Sequence, residues 1–368
     1  MENVVTAIEV KERMARGETF GFIDVQDKGS FQNWQVKGMT LQAVNVPYFD
    51  FKENEVNDEL LPENCCIVMI SPQSATAKRV RSRFEDKGYD VVNLSGGRTV
   101  WHDFYLESVI LTSSEVKLTQ FHRLGTGCLS YFLVSGHEAI VVDPSRHIEQ
   151  YLEAAARENV KITHVIDTHI HADHISGAQA LLRETSADYL VAHSELHAHH
   201  LPVVRMHQGT TLHLSGMDMR VTILDTEGET QGNSLLEFDK QFVLSGDAIA
   251  LGEVGIPDLT GNAQEWAEKL FNTVLRDVKH LPDDTLILPA HFGDIQAVNA
   301  GGYVGALLGD VRLGAQANAT KNVLTFSSRP LGFVASLPKA SDDIRQINAG
   351  LATLDGVIAA DLELDLRE

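Results

Sequence analysis

A strand, Ile162 to Ile166, ends in the apolar pair Val165-Ile166 and runs straight into Asp167-Thr168-His169-Ile170-His171-Ala172-Asp173-His174. Four ligand-type side chains in six positions follow a strand that reads as buried. His169 and His171 are two residues apart, so on extended backbone they point the same way. Asp173 and His174 come as the chain turns toward a helix. Imidazole and carboxylate groups gathered at a strand's carboxyl end can hold one or two metal ions. Without such a purpose, burying these polar groups would be costly.

The surrounding pattern supplies the organisation. Thr6 to Arg16 spaces its apolar residues helically and stops at Gly17. Phe20–Val25, Ile67–Ile70 and Val91–Leu94 read as strands, with a basic helix over Ser74–Lys87 closed by Gly88. Strands separated by helices predict a small α/β domain with a parallel sheet. A connecting stretch ending in Thr112-Ser113-Ser114-Glu115 precedes a meander of Val116–Phe121, Ser130–Val134 and Ala139–Val142. A helix at Glu149–Arg157 and the strand Ile162–Ile166 lead to the histidines. Short strands are expected between Tyr189 and Leu244, a helix near Ala263–Val278 and a strand at Leu286–Leu288. The tail after Ala300 gives no clear assignment.

At 368 residues the chain has room for two domains. Its 30 basic and 51 acidic residues give a formal charge of −21, which repels nucleic acid and anionic membranes. No apolar run approaches the roughly 20 residues of a membrane-spanning helix. Three cysteines, Cys65, Cys66 and Cys128, are too few for a disulfide framework and fit a cytoplasmic setting. Cys128 reads as a small core residue.

The string from Thr168 to His174 resembles the signature of the metallo-β-lactamase superfamily, and the resemblance covers most of the chain after Glu115. Asp143-Pro144 resembles its early structural aspartate, Leu244-Ser245-Gly246-Asp247 its ligand aspartate and Pro289-Ala290-His291 its final ligand histidine. Three stretches are similar to the persulfide dioxygenase branch: Gly125 to Tyr131, the histidine motif running on to Gly177, and Gly252 to Asp258. That resemblance implies one non-haem Fe(II), O2 and a glutathione persulfide. Zn or Mn are alternative metals.

Two positions depart from the pattern. The family's next ligand is a loop histidine, and Glu229 in Thr226-Glu227-Gly228-Glu229-Thr230-Gln231-Gly232 stands in its place. Carried over, the iron ligands are His169, Glu229 and Asp247. One histidine with two carboxylates is a harder, more anionic set than two histidines with one. Glu229 therefore reads either as a ligand or as a solvated loop residue. Ile256 replaces an arginine near the substrate pocket; Arg312, Lys321 and Arg329 are candidate substitutes. The cluster His193, His197, His199, His200, His207 and His213 reads as solvated or locally bonded histidines.

The first hundred residues resemble a rhodanese domain in Phe22-Ile23-Asp24-Val25, Ala43-Val44-Asn45-Val46-Pro47 and Asn93 to Gly97 with Trp101. A working rhodanese ends its central strand in cysteine; here Ile70 stands there. Cys65 and Cys66 lie at the strand's other end, about 13 Å away at about 3.3 Å per residue. Isoleucine accepts no sulfur. The domain is expected to pack, dock a partner or stabilise a homodimer.

The expected fold is α/β plus α+β. A rhodanese-like three-layer α/β domain at 1–107 precedes a metallo-β-lactamase αβ/βα sandwich at 115–368. Three functions remain open. One is a persulfide dioxygenase-like enzyme with a variant ligand set, in which His171, Asp173, His174 and His291 surround the metal. Another is a binuclear hydrolase of thioesters, like glyoxalase II, with metals on His169, His171, Asp173, His174, Asp247 and His291. The last is a catalytically degenerate scaffold or sensor. Asp173 and His174 are the candidate catalytic groups, and the expected partner is a small-molecule persulfide or thioester.

Overall fold

The computed structural model describes residues 4–16, 18, 20–24, 42–45, 65–70, 81–123, 126–192, 200–223, 234–249, 278–292, 298–319 and 340–363. They divide into two compact units, one built on residues 1–106 and the other on 107–122 and most of 128–368.

The first unit is a five-stranded parallel sheet. Its strands are β1 (Val4–Val5), β2 (Phe20–Asp24), β3 (Gln42–Asn45), β4 (Cys66–Ile70) and β5 (Asp90–Leu94), in the order β1-β5-β4-β2-β3. Phe22, Ile23, Ile67, Val68, Met69 and Val91 are all buried. Such unbroken apolar runs belong to strands covered on both faces. The helix Ala7–Ala15 starts with a reciprocal cap: Glu9 N–H donates to Thr6 Oγ1 (3.2 Å) and Thr6 N–H to Glu9 Oε2 (2.8 Å). Trp101 packs on Phe22 with ring centroids 5.1 Å apart. The helix expected over Ser74–Lys87 is seen at 81–86; its first part lies outside the described residues.

The second unit contains two mixed sheets. The larger comprises β6 (Tyr105–Thr112), β7 (Val116–Arg123), β8 (Cys128–Ser135), β9 (Glu138–Val142), β10 (Lys161–Ile166), β11 (Asp188–Ala192) and β12 (Val204–Met206). β8 and β9 are antiparallel, whereas β9 to β12 run parallel. The switch requires crossovers, supplied by the helices Glu149–Glu158 and Ala178–Glu184. The smaller sheet follows the order β13 (Thr211–His213), β14 (Asp218–Ile223), β15 (Ser234–Phe238), β16 (Phe242–Gly246), β17 (Leu286–Pro289) and β18 (Ala306–Leu307). Its β16–β17 pair is parallel, so both strands end at the same edge.

Two features depart from the sequence reading. The stretch taken as a connection before Glu115 is strand β6; it is an edge strand with mostly exposed or half-buried residues, so it lacks an apolar signature. The unassigned tail contains the helices Leu308–Ala319, Ser341–Asn348 and Ala359–Glu363. Ile344, Ile347 and Leu362 form an apolar cluster with Ile175, directly after the histidine motif. The helix expected near Ala263–Val278 lies outside the described residues, apart from Val278.

Candidate metal centre

Three strand ends meet at the site. β10 delivers Asp167 to His174, β16 delivers Asp247 and β17 delivers His291. Backbone bonds tie the ends together: Ser234 N–H donates to Thr168 O (2.9 Å), and Ala290 N–H to Gly246 O (2.9 Å). Gly246 adopts φ +54°, and a Cβ there would lie 2.8 Å from Thr168 Oγ1. Only glycine allows this approach and this backbone without strain.

Asp143, at the end of β9, organises the motif from beneath. It sits at φ 50°, a left-handed conformation that Asp tolerates better than most residues. Its Oδ1 accepts from Thr168 N–H (2.7 Å), Thr168 Oγ1 (3.0 Å) and His171 Nε2 (3.1 Å). Burial pushes its carboxyl up, but hydrogen bonding and charge from His171 and His169 outweigh this and hold it below its ordinary value. This is the place sequence resemblance assigns to the structural aspartate.

The candidate ligands face one another. His169 Nε2 lies 3.3 Å from Asp247 Oδ2. His291 donates from Nδ1 to Asp247 Oδ1 (2.5 Å) and from Nε2 to Asp173 Oδ2 (2.9 Å). His174 Nδ1 donates to Asp173 Oδ2 (3.0 Å). The rings of His169 and His171, and of His171 and His174, lie 4.3 Å apart between centroids. Glu229 and Ile256 lie outside the described residues, as do Lys321, Arg329, His193, His197 and His199.

The electrostatics follow from burial among opposite charges. Burial alone would raise the Asp173 and Asp247 carboxyls, yet the neighbouring imidazoles hold both well below the ordinary range. Burial would lower His174 and His291, but the carboxylates beside them raise both well above their usual value. His171 is driven down by burial and by His169 and His174, which favours its neutral form. A divalent cation would occupy the negative field that now favours protons on His174 and His291.

The donor chemistry fits a metal. His171 Nδ1 and His174 Nε2 are buried and have no hydrogen-bond partner among the described residues, while the opposite nitrogen of each ring is held by a carboxylate. An imidazole anchored by a carboxylate on one nitrogen and bare on the other is the usual form of a metal-binding histidine.

Three contributors were not read as site residues from the sequence. Asn348 donates from Nδ2 to the carbonyls of His171 (2.9 Å) and His174 (2.9 Å), and accepts from Ser176 N–H (2.9 Å). Glu363 Oε1 accepts from Ile175 N–H (2.8 Å). Both come from the tail helices, in the stretch the sequence left unassigned. The third is Cys128. It is buried, as a core residue would be, but its Sγ lies 3.1 Å from Asp173 Oδ2 and 3.6 Å from His174 Nδ1. Burial and Asp173 push its thiol up; His174 and His291 outweigh them and bring it below the ordinary thiol value.

Other sequence candidates fall elsewhere. Arg312 is ion-paired with Asp283 and donates to the carbonyls of Val278 (2.8 Å) and Leu281 (3.0 Å), a structural use rather than a substrate contact. His213 pairs with Asp218 on the surface (2.8 Å), and His200 and His207 are also exposed.

A largely buried histidine–aspartate constellation at converging strand ends of two mixed sheets is a candidate metal centre in a fold of α/β class. Residues 123–291 match the metallo-beta-lactamase superfamily and residues 6–104 the rhodanese-like domain. Residues 123–291 thus resemble a metallo-beta-lactamase domain, and the residues before them resemble a rhodanese-like one. It is 31% identical over 156 residues to a hydroxyacylglutathione hydrolase of Haemophilus ducreyi, covering 42% of this chain and 62% of that protein. A hydroxyacylglutathione hydrolase of Polaromonas is 30% identical over 42% of this chain and 57% of its own length. The chain thus spans about three fifths of the curated relatives it matches. Among solved structures, a metallo-beta-lactamase from Staphylococcus aureus matches with TM-score 0.54 and 24% identity, covering 64% of this chain and 73% of that one. ETHE1 from Myxococcus xanthus matches with TM-score 0.50 and 22% identity over 68% of this chain and all of its own (100%). These two likenesses concern the fold.

Proposed function

We propose that this protein is a metal-dependent enzyme acting on a small sulfur-bearing substrate, with persulfide dioxygenase-like chemistry and a variant ligand set. His169, Glu229 and Asp247 hold the metal, with Fe(II) the first choice. The observation that carries the reading is the placement of His169 against Asp247 from two strand ends, beside His291, whose two nitrogens are both held by carboxylates. His291 is thereby suited to orient Asp247 and Asp173 rather than to serve as a ligand itself. Bound iron would supply open positions for O2 and the substrate sulfur. Asp143 fixes the ring of His171, and Asp173 with His174 forms a proton-holding pair at the pocket wall. Asn348 holds the loop carbonyls that aim these rings.

Two-metal hydrolysis of a thioester is the second reading. It is favoured by the bare nitrogens His171 Nδ1 and His174 Nε2 and by the hydroxyacylglutathione hydrolases among the relatives. Metal analysis with oxygen uptake separates the two. Iron near one per chain, with O2 consumed on adding glutathione persulfide, is the expected result. Two zinc or manganese ions per chain with thioester cleavage would establish hydrolysis instead. Neither metal nor activity after loading with Fe(II) would leave a degenerate scaffold.

The rhodanese-like domain, with its boundary near residue 107, we take as a packing or docking module, with homodimer formation one such role. No described helix is long and apolar enough to cross a membrane, and three cysteines outside any disulfide support a reducing, cytoplasmic setting.

A further inference from the structure

Strand β17 ends in Pro289, two residues before His291, and a buried phenol holds the Pro289 carbonyl. We propose that Tyr131, oriented by Gln120, is a positioning residue that sets where His291 stands and, through it, the carboxylates of Asp247 and Asp173. This rests on the pocket's being a metal site and not on which reaction runs there.

Strand pairing alone does not fix the place of His291. The β16–β17 ladder shifts register between Leu244 and Gly246, so it is irregular where Asp247 and His291 leave it. Such irregularities re-aim side chains beside functional sites. Pro289 has no N–H, which leaves its carbonyl as its one backbone hydrogen-bonding group. Tyr131 Oη donates to that carbonyl (2.5 Å), reaching from β8 of the larger sheet to β17 of the smaller one. Ala290 is tied separately, its N–H to Gly246 O and its carbonyl to Leu129 N–H. Tyr131 and Gln120 are both buried.

The direction of the phenol's bond is set elsewhere. Val304, which lies just before β18, donates its N–H to Gln120 Oε1 (2.8 Å), and its carbonyl accepts from Gln120 Nε2 (2.9 Å). A backbone N–H only donates and a carbonyl only accepts, so the Gln120 amide has a single orientation. Its Nε2 also donates to Tyr131 Oη (2.9 Å). The phenol oxygen therefore accepts from Gln120, and its own proton points at Pro289. Burial pushes the phenol up, which keeps that proton in place. A buried network satisfied in this way fixes one arrangement. Phenylalanine would fill nearly the same space; the hydroxyl adds the aimed bond.

Cobalt(II) titration of the metal-free full chain tests this, because the visible d–d bands report how the ion is coordinated. Tyr131→Phe keeps the ring and removes the donor to Pro289. It should still bind cobalt, with shifted d–d bands and an affinity lower by about 10-fold. Gln120→Leu leaves the phenol unaimed and should shift the bands the same way, by less. Thr285→Val, just before the start of β17, deletes another buried bond, from Thr285 Oγ1 to Lys240 O (3.0 Å). It should lower the melting temperature while leaving bands and affinity as they are. Should Tyr131→Phe fail to fold, the bands of Gln120→Leu decide in its place. A lower melting temperature with unaltered bands and affinity, as in Thr285→Val, overturns the proposal and leaves the metal site standing. No cobalt bound by the unaltered chain would overturn the metal site itself, and the proposal with it.

Discussion

Strands β4 and β10 lie inside parallel runs of their sheets, and both end where an α/β fold usually places chemistry. β4 ends in Met69 and Ile70, buried and apolar, with Cys65 and Cys66 at its opposite end. β10 ends in Ile166 and then runs through Asp167, Thr168, His169, His171 and His174, every one of them buried. The architecture supplies the same position twice, and the side chains decide whether it can act. A polar end is tolerated in β10 because many of its groups find partners: Asp143 serves Thr168 and His171, while Asp167 Oδ2 accepts from Ser176 Oγ (2.8 Å) and Tyr189 Oη (2.7 Å).

The largest expected effect is at Asp247, which faces His169 and His291 together. Asp247→Ala should abolish stoichiometric metal binding, read by elemental analysis after loading, whereas Cys65→Ser/Cys66→Ser should leave the content unchanged. In the unaltered protein metal affinity should rise with pH, because the cation competes for the same carboxylates that favour protons on His174 and His291. Metal retained in Asp247→Ala would break the contrast between the two strand ends.

His122 sharpens the contrast from within the second unit. It is fully buried, with no hydrogen-bond partner for either nitrogen among the described residues, and packs edge-on to Phe292. Burial without a carboxylate pushes it down to about 4, where the site histidines His174 and His291 are raised. The imidazole is neutral in the folded chain but takes a proton near 6.5 once unfolded. Its contribution is therefore fully present above about pH 6.5 and is lost as pH falls toward 4, about 3 kcal/mol across that window. Urea melts at pH 7 and pH 4.5 should show a smaller acid loss in His122→Gln than in the unaltered chain. An equal loss in both would remove His122 from the account.

The histidine motif, Asp143, Asp247 and His291 were legible because each follows an apolar strand within a few residues. Asn348, Glu363 and Cys128 were not. Asn348 acts through backbone carbonyls 174 and 177 residues away, and Cys128 reaches the pocket only because a bridge aligns it with His291. Strand β6 escaped for a simpler reason, since an edge strand buries little. Sequence spacing conveys local geometry well; long-range satisfaction of polar groups leaves no period to read.

A middle-sized effect is expected at Asp143, which positions groups without being a candidate ligand. Asp143→Asn keeps the size and the left-handed backbone but loses the charge that holds His171 Nε2. Metal affinity, measured by competition with a chelator, should fall about 10- to 100-fold, with the affinity–pH profile displaced because His171 loses its anionic partner. Unchanged affinity with a lower melting temperature would make Asp143 purely structural.

The smallest effect should come from the first unit's cysteines. Cys66 is pushed up to about 11, by burial first and then by Asp90, against a weaker pull from Arg13. Near pH 8 almost all of it is thiol, so alkylation by iodoacetamide should run roughly 100-fold slower than for an unperturbed cysteine, rate following thiolate fraction. Asp90→Asn should recover only part of that, several-fold, because burial remains the larger cause. Sulfur transfer from thiosulfate to cyanide should stay at background in the unaltered chain and in both variants, since Ile70 offers no nucleophile at the strand end where the fold would use one. Measurable transfer that depended on Cys66 would mean that sulfur chemistry had moved to the other end of β4, and the two strand ends would then differ in place rather than in capacity.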